Sequence, residues 1–296
     1  MPLYRAPIRD MLFAYYELHQ GEALRVLPGF EEMDRETLES ILDEAGKFVM
    51  PGFEEMDRET LESILDEAGK FVSERLLPIN RSGDEEGCHW QDGKVTTPEG
   101  FKAAYRDFVE AGWNSIAFDA EYGGQGLPKS LHMLVDEMIC GCNLSFSLYP
   151  GLTHGAWGAL ESYADPALKD LYFPRMASGE WSGSMCLTEA HCGTDLGLLR
   201  TRAVSQSDGS YRITGSKIFI TAGEHDLSEN IVHLVLARTP DAPAGIKGVS
   251  LFLVPKILPD SKGGLGEPNN VTCGAIEHKM GIKASATCVI NFDDAK

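Results

Sequence analysis

The spacing of apolar residues changes near residue 180, and this change constrains the fold more than any other feature of the chain. Before it, apolar residues recur three and four positions apart, as on one face of a helix, in the segments 101–109, 131–139, 152–163 and 166–177. After it, short segments alternate between apolar and polar residues, as strands do, at 211–214, 217–221, 231–237, 249–254 and 287–292. We therefore predict an α+β fold, with a helical N-terminal domain over residues 1–180 and a small antiparallel β-barrel domain over residues 181–296.

A repeat interrupts the N-terminal part of the chain. Residues 28–49 recur without change as residues 51–72, with Met50 between the copies, which indicates a recent duplication or an error in the sequence. Each copy has the apolar spacing of an amphipathic helix, and in the second copy the stripe continues to Leu77 and stops before Pro78. A fold with one groove for this helix cannot bury both apolar faces. We expect the second copy to occupy the groove and the first to be a loosely held hairpin partner, so proteolysis should cut the first copy earlier.

Composition excludes several classes of protein. The formal net charge is −19, which argues against a nucleic-acid partner because phosphate binding requires a basic face. The seven cysteines are scattered without a CxxC pair, which favours buried thiols in a reducing compartment. No run reaches the roughly 18 apolar residues of a membrane-spanning helix, and the N-terminal residues do not have the pattern of a signal peptide. These features predict a cytoplasmic protein.

Two polar segments in the strand-rich half are candidates for a binding site. Residues 185–195 read Met-Cys-Leu-Thr-Glu-Ala-His-Cys-Gly-Thr-Asp, and residues 217–223 read Lys-Ile-Phe-Ile-Thr-Ala-Gly. Backbone amides, threonine hydroxyls and glycine allow a protein to hydrogen-bond a flat polar heterocycle at close range. The residues alone therefore predict a glycine- and threonine-rich binding loop on a β domain, without identifying its chemistry.

Other interpretations of the first segment are weaker. Glu189, His191 and Asp195 have spacings that metal ligands can have, but the residues between them are typical of a loop, and we predict no metal site. Cys186 and Cys192 could be nucleophiles, yet no base can be paired with them from the sequence, so buried thiols are the favoured interpretation.

Four segments, taken in order, carry a resemblance to a known family. They are Glu-Tyr-Gly-Gly-Gln-Gly at 121–126, Leu-Thr-Glu with Gly-Thr-Asp over 187–195, Gly-Ser-Lys-Ile-Phe-Ile-Thr-Ala-Gly at 215–223, and His-Lys-Met-Gly-Ile-Lys at 278–283. This ordered set resembles the acyl-CoA dehydrogenases. The long N-terminal lead and the segments 149–155 and 224–230 are most similar to the 3-methylmercaptopropionyl-CoA dehydrogenases, which act in bacterial dimethylsulfoniopropionate degradation.

The resemblance implies a fold, a reaction and partners. It implies a helical N-terminal domain, a β-barrel middle domain and a helical C-terminal domain, with FAD between the last two. The implied reaction is the FAD-dependent α,β-dehydrogenation of an acyl-CoA thioester, as in fatty acid metabolism. A glutamate base removes the α-proton while the β-hydride passes to the flavin. The implied partners are the acyl-CoA substrate, an electron-transferring flavoprotein as acceptor, and further copies of the full-length chain in a homo-oligomer.

The resemblance also assigns site residues. It implies that eight residues bind the cofactor, namely Met185, Leu187, Thr188, Gly193, Thr194, Phe219, Ile220 and Thr221. Thr194 would also contact the substrate, Phe219 would pack beside the isoalloxazine, and Thr221 would place its hydroxyl near flavin N5. The pair Ala190 and His191 departs from the family, which commonly has Pro-Gly there, and this puts the shape of the loop in question.

No glutamate within residues 1–296 matches the family's base motif. Residues 291–296 resemble the last barrel strand, so the catalytic glutamate is expected beyond Lys296, and we expect this chain alone to be inactive. Two alternatives stay open. One is an acyl-CoA oxidase-type flavoenzyme, in which O₂ reoxidises the flavin. The other is a non-catalytic fragment that binds flavin or acyl-CoA.

Overall fold

The computed structural model describes residues 58–296, and the first copy of the repeat, with its expected hairpin, lies outside the described residues. The helices are α1 (Arg58–Phe71), α2 (Pro78–Glu86), α3 (Phe101–Glu110), α4 (Lys129–Cys142), α5 (Leu144–Tyr163) and α6 (Pro166–Ala177). The strands are β1 (His89–Gln91), β2 (Lys94–Thr96), β3 (Trp181–Cys186), β4 (Arg202–Ser205), β5 (Tyr211–Thr221), β6 (Asn230–Ala237), β7 (Ser250–Pro255), β8 (Ile257–Pro259), β9 (Leu265–Pro268), β10 (Val271–Ile276) and β11 (Thr287–Ala295).

The chain divides into two compact units. One contains Leu127–Val135 and, of the described residues, 58–70; the other contains Phe71–Gly126 and Asp136–Lys296. Every residue of the candidate site lies in the second unit. The predicted boundary near residue 180 stays a prediction, although the long helices end at Ala177 and the larger sheets begin at Trp181.

From Arg58 onward the second copy of the repeat is helical, as predicted, and it buries Leu65 and Ala68. Its helix does not end before Pro78, however. A π-helical turn over Val72–Leu76 leads into α2, which has Pro78 as its first residue. Proline is tolerated in a first turn because the N–H that it lacks would have no partner there.

Helix α5 begins earlier than the sequence predicts. The side chain of Asn143 caps it by accepting a hydrogen bond from the backbone N–H of Phe146 at 3.0 Å, so the helix starts at Leu144 and includes Pro150. Helix α6 begins as predicted, with Pro166 in the first turn behind the capping residue Asp165.

The strands form four sheets. A four-stranded sheet has the order β10-β11-β5-β4 and a three-stranded sheet the order β3-β6-β7, with two-stranded hairpins β1-β2 and β8-β9. The α+β class is confirmed. The prediction of an antiparallel barrel needs correction in two respects: within residues 58–296 the sheets do not close on themselves, and β3 pairs with β6 in parallel. The parallel pair arises because the chain passes through β4 and β5, in the other sheet, between these strands.

Helices α5 and α6 pack on the three-stranded sheet through an aromatic cluster. The ring of Trp157 stacks between those of Phe118 and Phe173, with centroid distances of 3.9 and 3.8 Å. Strand β3 lies so close to α5 that a Cβ at Gly183 would be 2.4 Å from the Cβ of Ala156. Glycine is therefore required there, and this packing fixes the strand that leads into the 187–195 loop. None of the helices between residues 58 and 296 combines the length and apolar composition that crossing a membrane requires.

Candidate functional site

The two polar segments that the sequence singles out lie side by side. The Ser184 hydroxyl donates to the Thr221 carbonyl at 2.8 Å, and the Ile218 N–H donates to the Thr188 carbonyl at 2.9 Å. The end of β3 and the loop after it are thus hydrogen-bonded along the second half of β5. These contacts bring together all three predicted regions: the end of β3, the 187–195 loop and residues 219–221.

The loop folds back on itself through a tight turn. Glu189 and Cys192 exchange two backbone hydrogen bonds, of 2.9 and 3.0 Å, which leaves Ala190 and His191 at the tip. The ring Nε2 of His191 lies 3.0 Å from the Leu198 carbonyl. A Cβ on Gly193 would come within 3.3 Å of the Thr188 side chain, so the far end of the loop returns to its beginning. The departure at residues 190–191 is therefore accommodated in a two-residue turn.

A buried ion pair fastens this loop to β5. The Lys217 ammonium donates to Oε1 of Glu189 at 2.9 Å and to the Leu187 carbonyl at 3.0 Å, and the side chain of Lys217 is fully buried. Oε1 of Glu189 also accepts from the backbone N–H and the hydroxyl of Thr201, at 2.9 and 2.6 Å. The other oxygen, Oε2, accepts from the Arg200 N–H at 2.7 Å. Burial alone would raise the pKa of Glu189, but the hydrogen bonds from Thr201, Lys217 and Arg200 lower it to about 2.

A β-bulge turns Phe219 outward. Between the pairs Lys217–Ile290 and Ile220–Cys288, β5 advances three residues while β11 advances two, which is the definition of a bulge. Phe219 occupies the extra position with a φ of 59°, and its side chain is 58% exposed. Such a conformation is strained for an aromatic residue, and strain of this kind concentrates at functional sites.

The three predicted threonines have hydroxyls available to a ligand. Across residues 58–296, no hydrogen bond engages the side chains of Thr188, Thr194 and Thr221, although Thr188 and Thr221 are half-buried. By contrast, the hydroxyls of Thr97, Thr153 and Thr201 all bond within the protein. These three hydroxyls can therefore donate to or accept from a polar ligand without breaking a bond within the protein.

The other predicted residues have less direct roles. Met185 is half-buried against the aromatic cluster, and Leu187 holds Lys217 through its carbonyl. The side chain of Ile220 is buried in the β core, so a contact between this residue and a cofactor would have to be made by its backbone.

Two segments that carry the closer resemblance meet behind the site. The Tyr149 hydroxyl donates to the Ala284 carbonyl at 2.9 Å and accepts from the Ala286 N–H at 3.0 Å. Ala286 in turn accepts from the N–H of Ala222, which follows Thr221. The rings of Tyr149 and His225 meet edge to face at 5.1 Å. Helix α5 thereby supports the end of β5 from inside the protein.

Two histidines, His225 and His233, are buried near the end of β5. The Nδ1 of His225 accepts from the Leu227 N–H, so its Nε2 carries the proton, 3.1 Å from the Ser182 hydroxyl. Burial and the nearby Lys256 lower the pKa of His225 to about 3. Burial also lowers the pKa of His233 to about 4, although this ring hydrogen-bonds the Gly223 carbonyl. Both histidines are therefore neutral at physiological pH.

The structure groups different residues from those that the sequence offered as metal ligands. Asp195 does not join Glu189 and His191; its side chain accepts from the Gly197 N–H at the start of a short 3-10 helix. Instead Cys192 joins them, with potential ligand atoms of the three residues within 4.8 Å of one another. The charge of Glu189 is already balanced by Lys217, and a divalent cation would be repelled by that ammonium. The absence of a metal stays a prediction with this physical basis.

The two loop cysteines are both buried, and burial raises the pKa of the Cys186 thiol far above its usual range. A thiol held protonated in this way is a poor nucleophile, in agreement with the favoured interpretation.

The sequence does not reveal the partners of Glu189. Lys217 lies within the 217–223 segment, and Thr201 belongs to neither polar segment. The available signal was a lysine at an inward position of an alternating strand, two residues after Gly215 and four after the buried Ile213. A lysine there requires a buried acid, which the sequence alone could not identify.

A cavity of about 700 Å³ lies away from the candidate site, against α6 and β7, with Tyr172, Tyr211 and Phe252 among its lining residues. It contains none of the eight predicted cofactor-binding residues. Cavity size is thus no guide to the site here.

Comparisons with known proteins agree on one family. The model of the acyl-CoA dehydrogenase N-terminal domain matches residues 58–180, and that of the acyl-CoA dehydrogenase middle domain matches residues 184–295. A 3-methylmercaptopropionyl-CoA dehydrogenase from Ruegeria pomeroyi is 44% identical over 99% of this chain and 46% of its own length. The broad-specificity linear acyl-CoA dehydrogenase FadE5 from Mycobacterium tuberculosis is 36% identical over 99% of this chain and 44% of its own. The chain spans about half the length of these curated relatives.

A solved structure has the same fold. The electron-transferring flavoprotein structure from Acidaminococcus fermentans contains a chain that matches with a TM-score of 0.64 and 27% identity. The match covers 79% of this chain and 55% of the other.

Proposed function

Because this chain belongs to the acyl-CoA dehydrogenase family, we propose that it forms one wall of an FAD site for the α,β-dehydrogenation of an acyl-CoA thioester. The family consists of oxidoreductases with FAD-containing members, so the predicted enzyme class and cofactor hold for the family. The observation that carries the proposal is the joining of 184–188 to 218–221, which presents unengaged threonine hydroxyls beside an outward aromatic ring.

The residues of the site fit a flavin. The hydroxyls of Thr188 and Thr221 would hydrogen-bond the polar edge of the ring system, and Phe219 would pack against its flat surface. Gly193 allows the loop to approach Thr188 closely, which leaves exposed Thr194 at the open side for the thioester. When bound, FAD supplies the acceptor for the hydride that leaves the β-carbon.

The proton acceptor requires a separate group. Glu189 cannot serve, because its two oxygens accept four hydrogen bonds and its pKa is lowered to about 2 by the donors that outweigh its burial. A carboxylate with so low a pKa is a weak base. The catalytic glutamate expected beyond Lys296 stays a prediction, as does inactivity of this chain alone.

Similarity to known proteins also supports a substrate and an electron acceptor for the proposed enzyme. Similarity to the Ruegeria pomeroyi protein supports 3-methylmercaptopropionyl-CoA as the substrate, and with it a role in dimethylsulfoniopropionate degradation. Similarity to a chain of the Acidaminococcus fermentans structure supports an electron-transferring flavoprotein as acceptor. We also propose a homo-oligomer of the full-length enzyme and a cytoplasmic location.

Flavin titration tests the proposal. FAD added to the 296-residue chain should lose fluorescence on binding, and Thr188→Val or Thr221→Val should each weaken binding about 5- to 20-fold, because each removes one hydrogen bond. Thr214→Val, the same change at an exposed position of the same strand, is the matched control. A wild-type chain that does not bind FAD would overturn the proposal.

A second titration tests the substrate. With FAD bound, 3-methylmercaptopropionyl-CoA should perturb the flavin absorbance at lower concentration than butyryl-CoA. The reverse order would contradict the assigned acyl group while leaving the family's reaction in place.

A further inference from the structure

We propose that Glu189, Thr201 and Lys217, here called the brace, are positioning residues that hold the flavin-binding loop in register with β5. The inference rests on the proposed function and deepens it, since it assigns to three buried residues the geometry of the surface that FAD would contact.

The brace joins three segments that are distant in sequence. Glu189 comes from the loop, Thr201 from the residue before β4, and Lys217 from the middle of β5. Glu189 is 12 residues from Thr201 and 28 from Lys217. One carboxylate therefore links the loop, the start of β4 and the middle of β5.

The brace also orients the loop backbone. The Lys217 ammonium donates a hydrogen bond to the Leu187 carbonyl. The backbone N–H of Ile218, the next residue of β5, donates to the Thr188 carbonyl. With two successive carbonyls bound to β5, the backbone from which the Thr188 side chain projects is held at Lys217 and Ile218. The bulge at Phe219 begins two residues after Lys217 on the same strand, so the brace sets the place from which the aromatic ring projects.

The local sequence makes room for this arrangement. A Cβ at Gly215 would lie 2.4 Å from the Thr201 hydroxyl oxygen and 2.9 Å from the Thr201 Cα. Any larger residue would displace Thr201 from Glu189. Glycine at this position therefore permits the three-way contact.

Stability alone does not account for a brace of this kind. Replacing a buried ion pair with well-packed apolar residues is often neutral or stabilising, so apolar side chains could hold the two segments together equally well. An apolar contact allows small shifts along the strand, whereas a carboxylate with four donors accepts only one geometry. Fixed geometry is what a hydrogen-bonding site requires.

The experiment compares two lysines. Lys217→Met removes the ammonium from the brace, and Lys256→Met removes it from the partly buried Glu224 pair in the same unit. Each variant of the 296-residue chain is measured for FAD affinity, corrected for the folded fraction, and for amide hydrogen exchange of residues 187–194 without ligand. Glu189→Gln is the second brace variant in case Lys217→Met does not fold, because it keeps the shape of the side chain.

The expected results separate positioning from stability. Lys217→Met should weaken FAD binding at least about tenfold, speed exchange in 187–194 by a similar factor and alter the visible spectrum of bound FAD. Glu189→Gln should do the same to a smaller extent. Lys256→Met should leave all three readouts within about twofold of wild type.

The results that would contradict the brace proposal differ from those that would contradict the proposed function. If wild type binds FAD and both brace variants bind it equally well once folded, the brace proposal fails and the proposed function stands. Equal effects of Lys217→Met and Lys256→Met would also overturn it, since they would indicate general destabilisation. If wild type does not bind FAD, the proposed function fails and the brace proposal with it.

Discussion

Two lysine–glutamate pairs in the strand-rich part of the molecule have the same chemistry and different surroundings. Glu189 receives four hydrogen bonds and pairs with Lys217, whose side chain is fully buried. Glu224 lies 2.5 Å from the ammonium of Lys256, whose side chain is 29% exposed. Burial raises the pKa of Glu224 despite Lys256, whereas the donors around Glu189 outweigh its burial and lower its pKa. The donors thus outweigh burial at Glu189, whereas burial prevails at Glu224.

The largest difference between the pairs should appear when each lysine is removed. Lys217→Met should cost about 3–5 kcal/mol in the free energy of unfolding, because it leaves a buried carboxylate without its counter-charge. Lys256→Met should cost about 1 kcal/mol, because the Lys256 side chain is 29% exposed and solvent weakens its interaction with Glu224. Urea unfolding at pH 7 measures both values, and equal costs would contradict the contrast.

A fall in pH should first lower the free energy of unfolding through the two buried histidines near Glu224. His225 and His233 are buried with pKa values lowered, chiefly by burial, to about 3 and about 4. Their contribution to stability is complete above the unfolded value of 6.5 and is lost as the pH falls below it, since only the unfolded chain then binds the protons. From pH 8 to 5.5 the two together should cost about 3 kcal/mol.

Urea unfolding as a function of pH tests this expectation. His225→Gln should remove about half of the dependence between pH 8 and 5.5, and the exposed His278→Gln should leave it unchanged. Glu189, with its lowered pKa of about 2, should lose its contribution only between about pH 4.5 and 2. A transition that is independent of pH down to 5 would contradict the burial of the histidines.

A steric change should break the brace without altering a charge. Gly215→Ala should cost about 1–3 kcal/mol in stability, because its Cβ would displace Thr201. Gly158→Ala is the matched control, since nothing lies within 4 Å of its Cβ position in α5, and it should stabilise by about 0.5–1 kcal/mol. Thermal unfolding of the two variants gives the comparison, and a neutral Gly215→Ala would show that Thr201 can move.

The smallest expected effect on stability is at Phe219. Because the ring is largely exposed, Phe219→Ala should change the free energy of unfolding by no more than about 0.5 kcal/mol. It should nevertheless weaken FAD binding about 3- to 10-fold through loss of ring contact. Tyr163→Ala, at another exposed aromatic residue, should change neither quantity. A loss of stability without a change in FAD affinity would place the flavin elsewhere.

Much of this fold could be predicted from residue spacing. The segments of helical spacing at 101–109 and 166–177 are α3 and α6, and the alternating segments at 231–237 and 287–292 lie within β6 and β11. Spacing succeeded for α3 and β11 because each buries mainly one face, whereas β6 is buried at nearly every residue and is marked by its apolar run. It gave no sign of the short strands β4 and β8–β10, whose residues are mostly exposed or half-buried and so lack an apolar pattern.

By itself the sequence determined the α+β class, the family, and the two segments from which the candidate site is built. Tertiary structure decided how those segments meet. Alternation would turn Phe219 to the same side as Lys217, but the bulge opposite β11 adds one residue and turns the ring outward. The pairing of Glu189 with Lys217 likewise depends on contacts across 28 residues. Side-chain period predicts the face of a residue only while strand register is unbroken, and the partner of a buried charge is set by neighbours that are remote along the chain.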